Sequence, residues 1–161
     1  MANISVANYS VSGTTSMIGQ SFDPCYPGPY GSGPLSASRV ALQSIALGFP
    51  TYDLACRPTA IYVYDVALTN RGDIGRGANL VATSTSYSDT PNLGPSAHAR
   101  TFYFAVELPS DATYYIYFGD GPQTVCLRAD NAYVAGAGID YNCDEDPQLT
   151  LQFEVRMLEV F

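Results

Sequence analysis

Apolar residues recur at every second position through most of this chain, a period that suits strands and excludes amphipathic helices. The clearest run is C-terminal. Leu149, Leu151, Phe153, Val155 and Met157 fall on one face, and Thr150, Gln152, Glu154 and Arg156 on the other. Such alternation predicts a long strand with one buried side. Ile61 and Val63 alternate with Tyr62 and Tyr64, and Tyr114, Ile116 and Phe118 with Tyr115 and Tyr117. Phe102, Phe104 and Val106 share a face, as do Ile18, Gln20 and Phe22. Within residues 39–49, Val40 and Leu42 fall out of phase with Ile45, Leu47 and Phe49. A bulge near Gln43 or Ser44 would restore the phase. Further strands are expected over residues 4–9, 80–85, 124–128 and 132–134.

Turn chemistry separates these runs: Asp23-Pro24, Pro27-Gly28-Pro29, Arg71-Gly72-Asp73, Pro109-Ser110-Asp111 and Gly119-Asp120-Gly121. Roughly ten short strands joined by such turns predict an all-β fold, a single antiparallel β-sandwich of jelly-roll type. The 161 residues suit one core. Residues 1–16 read as an N-terminal arm or edge strand, separated at Ser12-Gly13-Thr14-Thr15 from a sandwich of residues 17–161.

Charge narrows the partners. Seven Arg, no Lys and fifteen acidic residues give a net charge of −8. That field repels phosphate backbones and anionic lipid, so neither nucleic acid nor a membrane is expected as a partner. No apolar run approaches the roughly 18 residues that span a bilayer. Residues 1–5 have neither the basic nor the apolar region of a secretory leader. Met1 reads either as a native start or as the head of a chain whose leader has been removed.

The segments that best define strand order are Gly19-Gln20-Ser21-Phe22, Leu42-Gln43-Ser44-Ile45-Ala46-Leu47, Ile61-Tyr62-Val63-Tyr64-Asp65 and Leu80-Val81-Ala82-Thr83-Ser84. Phe102-Tyr103-Phe104, the run from Leu108 to Phe118, and Leu149-Thr150-Leu151-Gln152-Phe153-Glu154-Val155 follow. Together they resemble the choice-of-anchor type of β-sandwich, which is similar to carbohydrate-binding-module jelly rolls. The resemblance implies a non-catalytic module of the kind found on bacterial extracellular proteins and phage structural proteins. This chain departs from that pattern in lacking a surface anchor and in carrying four cysteines.

Residues bearing chemistry are sparse. Triad hydrolysis needs a histidine base beside a nucleophile, and the single histidine, His98, lies in a plain Ser-Ala-His-Ala-Arg context with no nucleophile elbow. No enzyme activity is expected. Asp140, Asp144, Glu145 and Asp146 form the densest acidic cluster, either a calcium loop or a solvated turn. Their spacing lacks the glycine and distal glutamate of an EF-hand. Arg71-Gly72-Asp73 spells an adhesion tripeptide but is ordinary turn chemistry. Asn3 and Asn8 sit in glycosylation sequons, relevant only outside the cell.

Cys25, Cys56, Cys126 and Cys143 could pair as Cys25–Cys56 and Cys126–Cys143, or all stay reduced. The stripe of Tyr62, Tyr64, Tyr115 and Tyr117 could stack on sugar rings, pack against a partner subunit, or be covered by the chain's own loops. Ile4 and Val6 at one end, and Leu158, Val160 and Phe161 at the other, predict apolar termini that seek a partner.

These features predict a structural or interaction protein, foremost a small phage virion component that associates with itself or with other structural subunits. The alternatives are a filament subunit joined by donation of its N-terminal strand, and a carbohydrate-binding module with glycans as ligands. The expected location is a virion or the extracellular space, with no cofactor beyond the candidate calcium.

Overall fold

A computed structural model describes residues 3–33, 36–50, 57–90, 93, 98–130 and 132–161. Among them are fourteen strands. The first seven are β1 (Asn3–Asn8), β2 (Gly13–Met17), β3 (Gly19–Phe22), β4 (Arg39–Gly48), β5 (Ile61–Tyr64), β6 (Leu80–Thr83) and β7 (Ser86–Thr90). The rest are β8 (Ala99–Pro109), β9 (Tyr114–Phe118), β10 (Gln123–Arg128), β11 (Gly138–Ile139), β12 (Glu145–Asp146), β13 (Thr150–Leu151) and β14 (Phe153–Val160). They form antiparallel sheets in an all-β, sandwich-like fold. A five-stranded sheet runs β1-β14-β4-β8-β7, a six-stranded one β12-β11-β3-β9-β5-β6, and a three-stranded one β13-β10-β2. Strand number and sheet number thus exceed the expected single sandwich of ten.

The added pieces have physical reasons. Gly13-Thr14-Thr15-Ser16 carries no apolar alternation, yet it forms β2, pairing with β10 from Gln123↔Met17 to Leu127↔Gly13. β10 fixes it as a partner, where its own side chains would not. Ser86–Thr90 is similarly polar and forms β7 against β8. The long C-terminal run breaks at Gln152. Its backbone N–H donates to the Cys126 carbonyl at 2.9 Å, and its carbonyl accepts from Gly48 N at 3.0 Å. The two segments flanking it, β13 and β14, therefore join different sheets. Residues 132–134, expected as a strand, form bends and a turn.

The phase slip in β4 is a bulge. Its pairing with β8 and with β14 shifts register around Gln43, between Leu42 and Ser44. The extra residue lets Val40, Leu42, Ile45 and Leu47 all point into the core, where none is exposed to solvent. Facing them across the core are Phe22, Ile61, Val63, Tyr114, Ile116 and Phe118 of the six-stranded sheet. Each such fully buried side chain contributes about 1.5–3 kcal/mol.

The N-terminal strand belongs to this core. β1 pairs with β14 over six positions, Asn3↔Leu158 to Asn8↔Phe153. Its other edge is closed by the loop before β4: Ala7 N donates to the Pro27 carbonyl at 3.1 Å, and Ser5 bridges Ser32. Residues 3–8 thus form an edge strand of the five-stranded sheet, while Gly13–Met17 belongs to the three-stranded one.

Buried charge ties β7 to β8. Arg100 and Arg57 are nearly inaccessible, and both bind Asp89. Arg100 also donates to the Pro58 carbonyl at 3.0 Å, and its guanidinium lies 4.1 Å from the Tyr87 ring centre. Arg57 stacks 5.3 Å over Phe49. No described helix is long and apolar enough to cross a membrane.

Candidate interaction surface

Of the tyrosine stripe, Tyr64 and Tyr117 are covered by the chain's own loops, while Tyr62 and Tyr115 are half-buried. Tyr64 and Tyr117 are 1% and 0% exposed and pack edge-to-face with centroids 5.6 Å apart. With Ile18 and Ile139 they form a second small core on the outer side of the six-stranded sheet, flanked by Tyr62, Leu68, Ile74, Leu80 and Tyr115. The Tyr117 hydroxyl accepts from Leu68 N at 2.8 Å. That of Tyr64 accepts from Gly75 N at 2.9 Å and Arg76 N at 3.0 Å, and lies 2.7 Å from the Arg76 carbonyl. Neither ring is offered to a glycan or a partner. Alternation located the second face correctly but could not show the loop that covers it.

That loop contains Arg71–Asp73, a single 3-10 turn whose Gly72 N is held by the Asn70 side chain at 2.8 Å. The Arg71 guanidinium lies 3.4 Å from the Tyr141 ring centre.

The acidic cluster is a turn, not a cation cage. Asp140 Oδ1 accepts from Asn142 N at 2.8 Å and Asp144 N at 3.1 Å, folding a tight loop in which Cys143 takes a left-handed φ of 67°. Glu145 turns away to accept from Ser21 Oγ at 2.6 Å, and Asp146 accepts from Gln148 N at 3.0 Å. Among the described residues no three His, Cys, Asp or Glu side chains converge as metal ligands. Asp140 and Asp146 hold backbone, the usual use of an Asp side chain in a turn.

Of the two cysteine pairings considered, Cys126–Cys143 is not found. Cys143 is a free thiol in the 140–144 turn, while Cys126 is buried in β10 opposite Thr14, so the Cys126–Cys143 bridge is not formed. Cys25 is also a free thiol, its Sγ 3.3 Å from the Ser110 carbonyl. Burial and the neighbouring Asp23 and Asp111 push its pKa up. Cys56 lies outside the described residues. His98 is half-buried just before β8, where its carbonyl accepts from Phe49 N.

The terminal apolar residues divide. Ile4 and Val6 are 5% and 0% exposed and belong to the core, so they are not interface. Period 2 turns both inward once β1 pairs with β14. Leu158 and Val160 are half-buried on the outer side of the five-stranded sheet, and Phe161 is 85% exposed. Glu159, between them, points the other way. Backbone N–H groups of Ser36, at 2.7 Å, and Ala37 hold its carboxyl below the usual carboxylate range.

Sequence reasoning missed one concave feature among the described residues. The outer face of the five-stranded sheet bears an open groove of about 540 Å³, running from β1 across β14 and β4 to β8. A smaller hollow of about 220 Å³ continues it toward Leu93 and Thr101. Ser44, Tyr103, Glu154 and Arg156 line both. Glu154 is almost fully buried, its Oε1 bound to Arg156 Nε at 2.7 Å and its Oε2 to the Tyr9 hydroxyl. Burial, and then that bond, push the Tyr9 pKa up to about 12. Tyr103 stands 40% exposed with its hydroxyl 2.8 Å from Ser88 Oγ. The only signal in the sequence was the polar half of each alternation, which reads the same for any solvated sheet face.

The two sheets also end on one side of the molecule. β6 is the last strand of the six-stranded sheet and β7 of the five-stranded one, joined by Ser84 and Thr85 alone. Among the described residues neither outer edge pairs with another strand. No family model matches the chain, and neither a curated protein nor a solved structure gives a match.

Proposed function

We propose that this chain is a non-enzymatic structural protein, a small virion component that assembles with further copies of itself. The observation that carries this is the two outer edges of β6 and β7, neither of which pairs with a further strand among the described residues. Unpaired strand edges are templates for adding another strand, and proteins that stay monomeric block them with charged side chains, bulges, Pro or a covering loop. Residues 80–90 contain no Pro, and their one charged residue, Asp89, is engaged within the chain by Arg57 and Arg100. The opposite edge, β1, is covered by residues 27–32. A copy that adds to β7 would extend the five-stranded sheet by main-chain hydrogen bonds.

Donation of the N-terminal strand has no support in this arrangement, since β1 is engaged on both sides within its own chain. The placement in a virion is supported by the strand-order resemblance, which also fits an extracellular protein. Concentration-dependent amide exchange tests the edge. Protection of the outward amides of β7 that rises with protein concentration supports it. Protection that is the same at every concentration rejects it.

A further inference from the structure

We propose that a second copy adds through its own β7, antiparallel about a two-fold axis at Ser88, so that assembly through this edge closes at a dimer. This rests on the edge assembly proposed above and adds to it a partner strand, a register and an end point.

The partner strand follows from which edges are open. Head-to-tail growth needs a second, different free edge, whereas two like edges make a closed pair. The far edge of the five-stranded sheet is β1, and it is occupied. Ala7 N donates to the Pro27 carbonyl at 3.1 Å, and Ser5 and Ser32 exchange backbone bonds at 3.2 and 3.0 Å. The far edge of the six-stranded sheet is β12, Glu145–Asp146. Its adjacent carboxylates blunt that edge against strand addition. β6 is open but irregular, since its pairing with β5 shifts register between Val63 and Tyr64. Such a shift breaks the row of outward backbone groups. Among the described residues β7 is left as the regular open edge, paired with β8 without a slip from Ser86 to Thr90. Charge agrees with this choice. A net charge of −8 opposes self-association over most of the surface. On β7 the one charged residue, Asp89, is bound by Arg57 and Arg100.

The register follows from the alternation of backbone groups. Along an antiparallel strand, successive residues turn their N–H and C=O to opposite neighbours. Phe49 N donates to the His98 carbonyl at 3.2 Å, so the pairs in step with it, Leu47↔Arg100 and Ile45↔Phe102, bond between β4 and β8. Thr101 and Tyr103 therefore turn to β7, where Ser88 and Ser86 stand opposite them. The N–H and C=O groups of Tyr87 and Asp89 are left facing outward. This row ends on both sides. Thr85 N donates inward to the Tyr103 carbonyl at 2.9 Å, and residue 91 is a proline with no N–H to give.

One self-pairing uses every outward group: Tyr87 of each copy opposite Asp89 of the other, with Ser88 facing Ser88 at the axis. A pair centred on Tyr87 would set Asp89 against Thr85, whose N–H is already used. A pair centred on Asp89 would set the two carboxylates directly opposite each other, which is unfavourable. The Ser88 register also lays a strand beside Tyr87, a ring 42% exposed that rests against Phe102 of the core.

Ser88→Cys tests the axis. Opposite residues in a non-hydrogen-bonded antiparallel pair have Cα atoms roughly 4.5 Å apart, within the roughly 4.4–6.8 Å that a disulfide spans. Ser86→Cys is the control, because position 86 in the two copies would lie about 14 Å apart along the strands. The full chain is treated with oxidised glutathione, and peptide mass spectrometry separates links at the new position from links through the native cysteines. Ser88→Cys is expected to give the 88–88 link at least tenfold faster than Ser86→Cys gives 86–86. Thermal melts of the reduced variants check the fold. Sedimentation of wild type needs no variant and is expected to end at the dimer. Growth past the dimer overturns the two-fold pairing and leaves edge assembly standing. So does a folded Ser88→Cys that links no faster than Ser86→Cys while wild type still associates. A wild type that stays monomeric at every concentration overturns both.

Discussion

Arg100 grips Asp89 through two parallel hydrogen bonds, Nε to Oδ1 at 2.9 Å and Nη2 to Oδ2 at 3.0 Å. Arg57 adds a third contact to Oδ1 at 3.1 Å. One carboxylate on an edge strand thus holds two buried guanidiniums. Asp89→Asn is expected to destabilise the fold by about 3 kcal/mol, the lower end for a broken buried pair because Asp89 is partly exposed. Urea denaturation measures it. The same contact sets an acid limit. The hydrogen bond from Arg100 holds the Asp89 carboxyl below its ordinary value. Its contribution is therefore complete above the ordinary carboxylate pKa and is lost as pH falls through the depressed one. Asp89→Asn should flatten that part of the stability–pH curve.

The Tyr64 hydroxyl organises the loop that covers the six-stranded sheet. It accepts from Gly75 N and Arg76 N, and its single proton serves the carbonyls of Asp73, at 2.9 Å, and Arg76. Tyr64→Phe keeps the ring in its core and orphans those backbone groups. A loss of about 1–3 kcal/mol is expected. Faster amide exchange should be confined to residues 65–79. Exchange that rises evenly over the whole chain would contradict the assigned role.

That loop also marks how far the sequence could be read. The period of 2 in residues 61–64 and 114–118 correctly placed Ile61, Val63, Ile116 and Phe118 in the main core, and the phase slip correctly placed the bulge at Gln43. It could not say that Tyr64 and Tyr117 face a second core, because a tyrosine on the far face of a strand looks the same whether water or a loop covers it. β2 and β7 escaped notice since most of their residues are small and polar, and only their neighbours make them strands. Ile4 and Val6 looked like sticky ends because their partners Met157 and Val155 on β14 lie at the far end of the chain. The groove was invisible for a related reason. Ser44, Tyr103, Glu154 and Arg156 come from three strands, brought side by side only by the sheet order.

Alkaline titration should separate the tyrosines. Burial pushes Tyr9, Tyr114 and Tyr117 up to about 12, and pushes Tyr133 up as well. A phenol raised on folding gives stability that is complete below its ordinary value of 10.0 and is lost as pH rises toward the folded value. Absorbance at the phenolate band should therefore show an early class of exposed tyrosines and a late class that titrates together with unfolding. A single class near the ordinary value would contradict the packing of the second core.

Calcium should not stabilise the chain. Asp140 and Asp146 spend their carboxylates on backbone N–H groups of their own turns, and Glu145 on Ser21. Millimolar calcium is expected to leave Tm unchanged, as measured by calorimetry with and without chelator. A clear rise would show that the 140–146 loop rearranges around the ion.

Sedimentation velocity over a wide concentration range tests the central claim most directly, with Ser86→Lys run beside wild type. Ser86 is an exposed position on the β7 edge, and a lysine there opposes strand addition at little cost to the fold. Wild type is predicted to shift to larger species as concentration rises, and Ser86→Lys to remain a monomer with an unchanged Tm. A wild-type chain that stays strictly monomeric at the highest concentration would contradict the proposed building block.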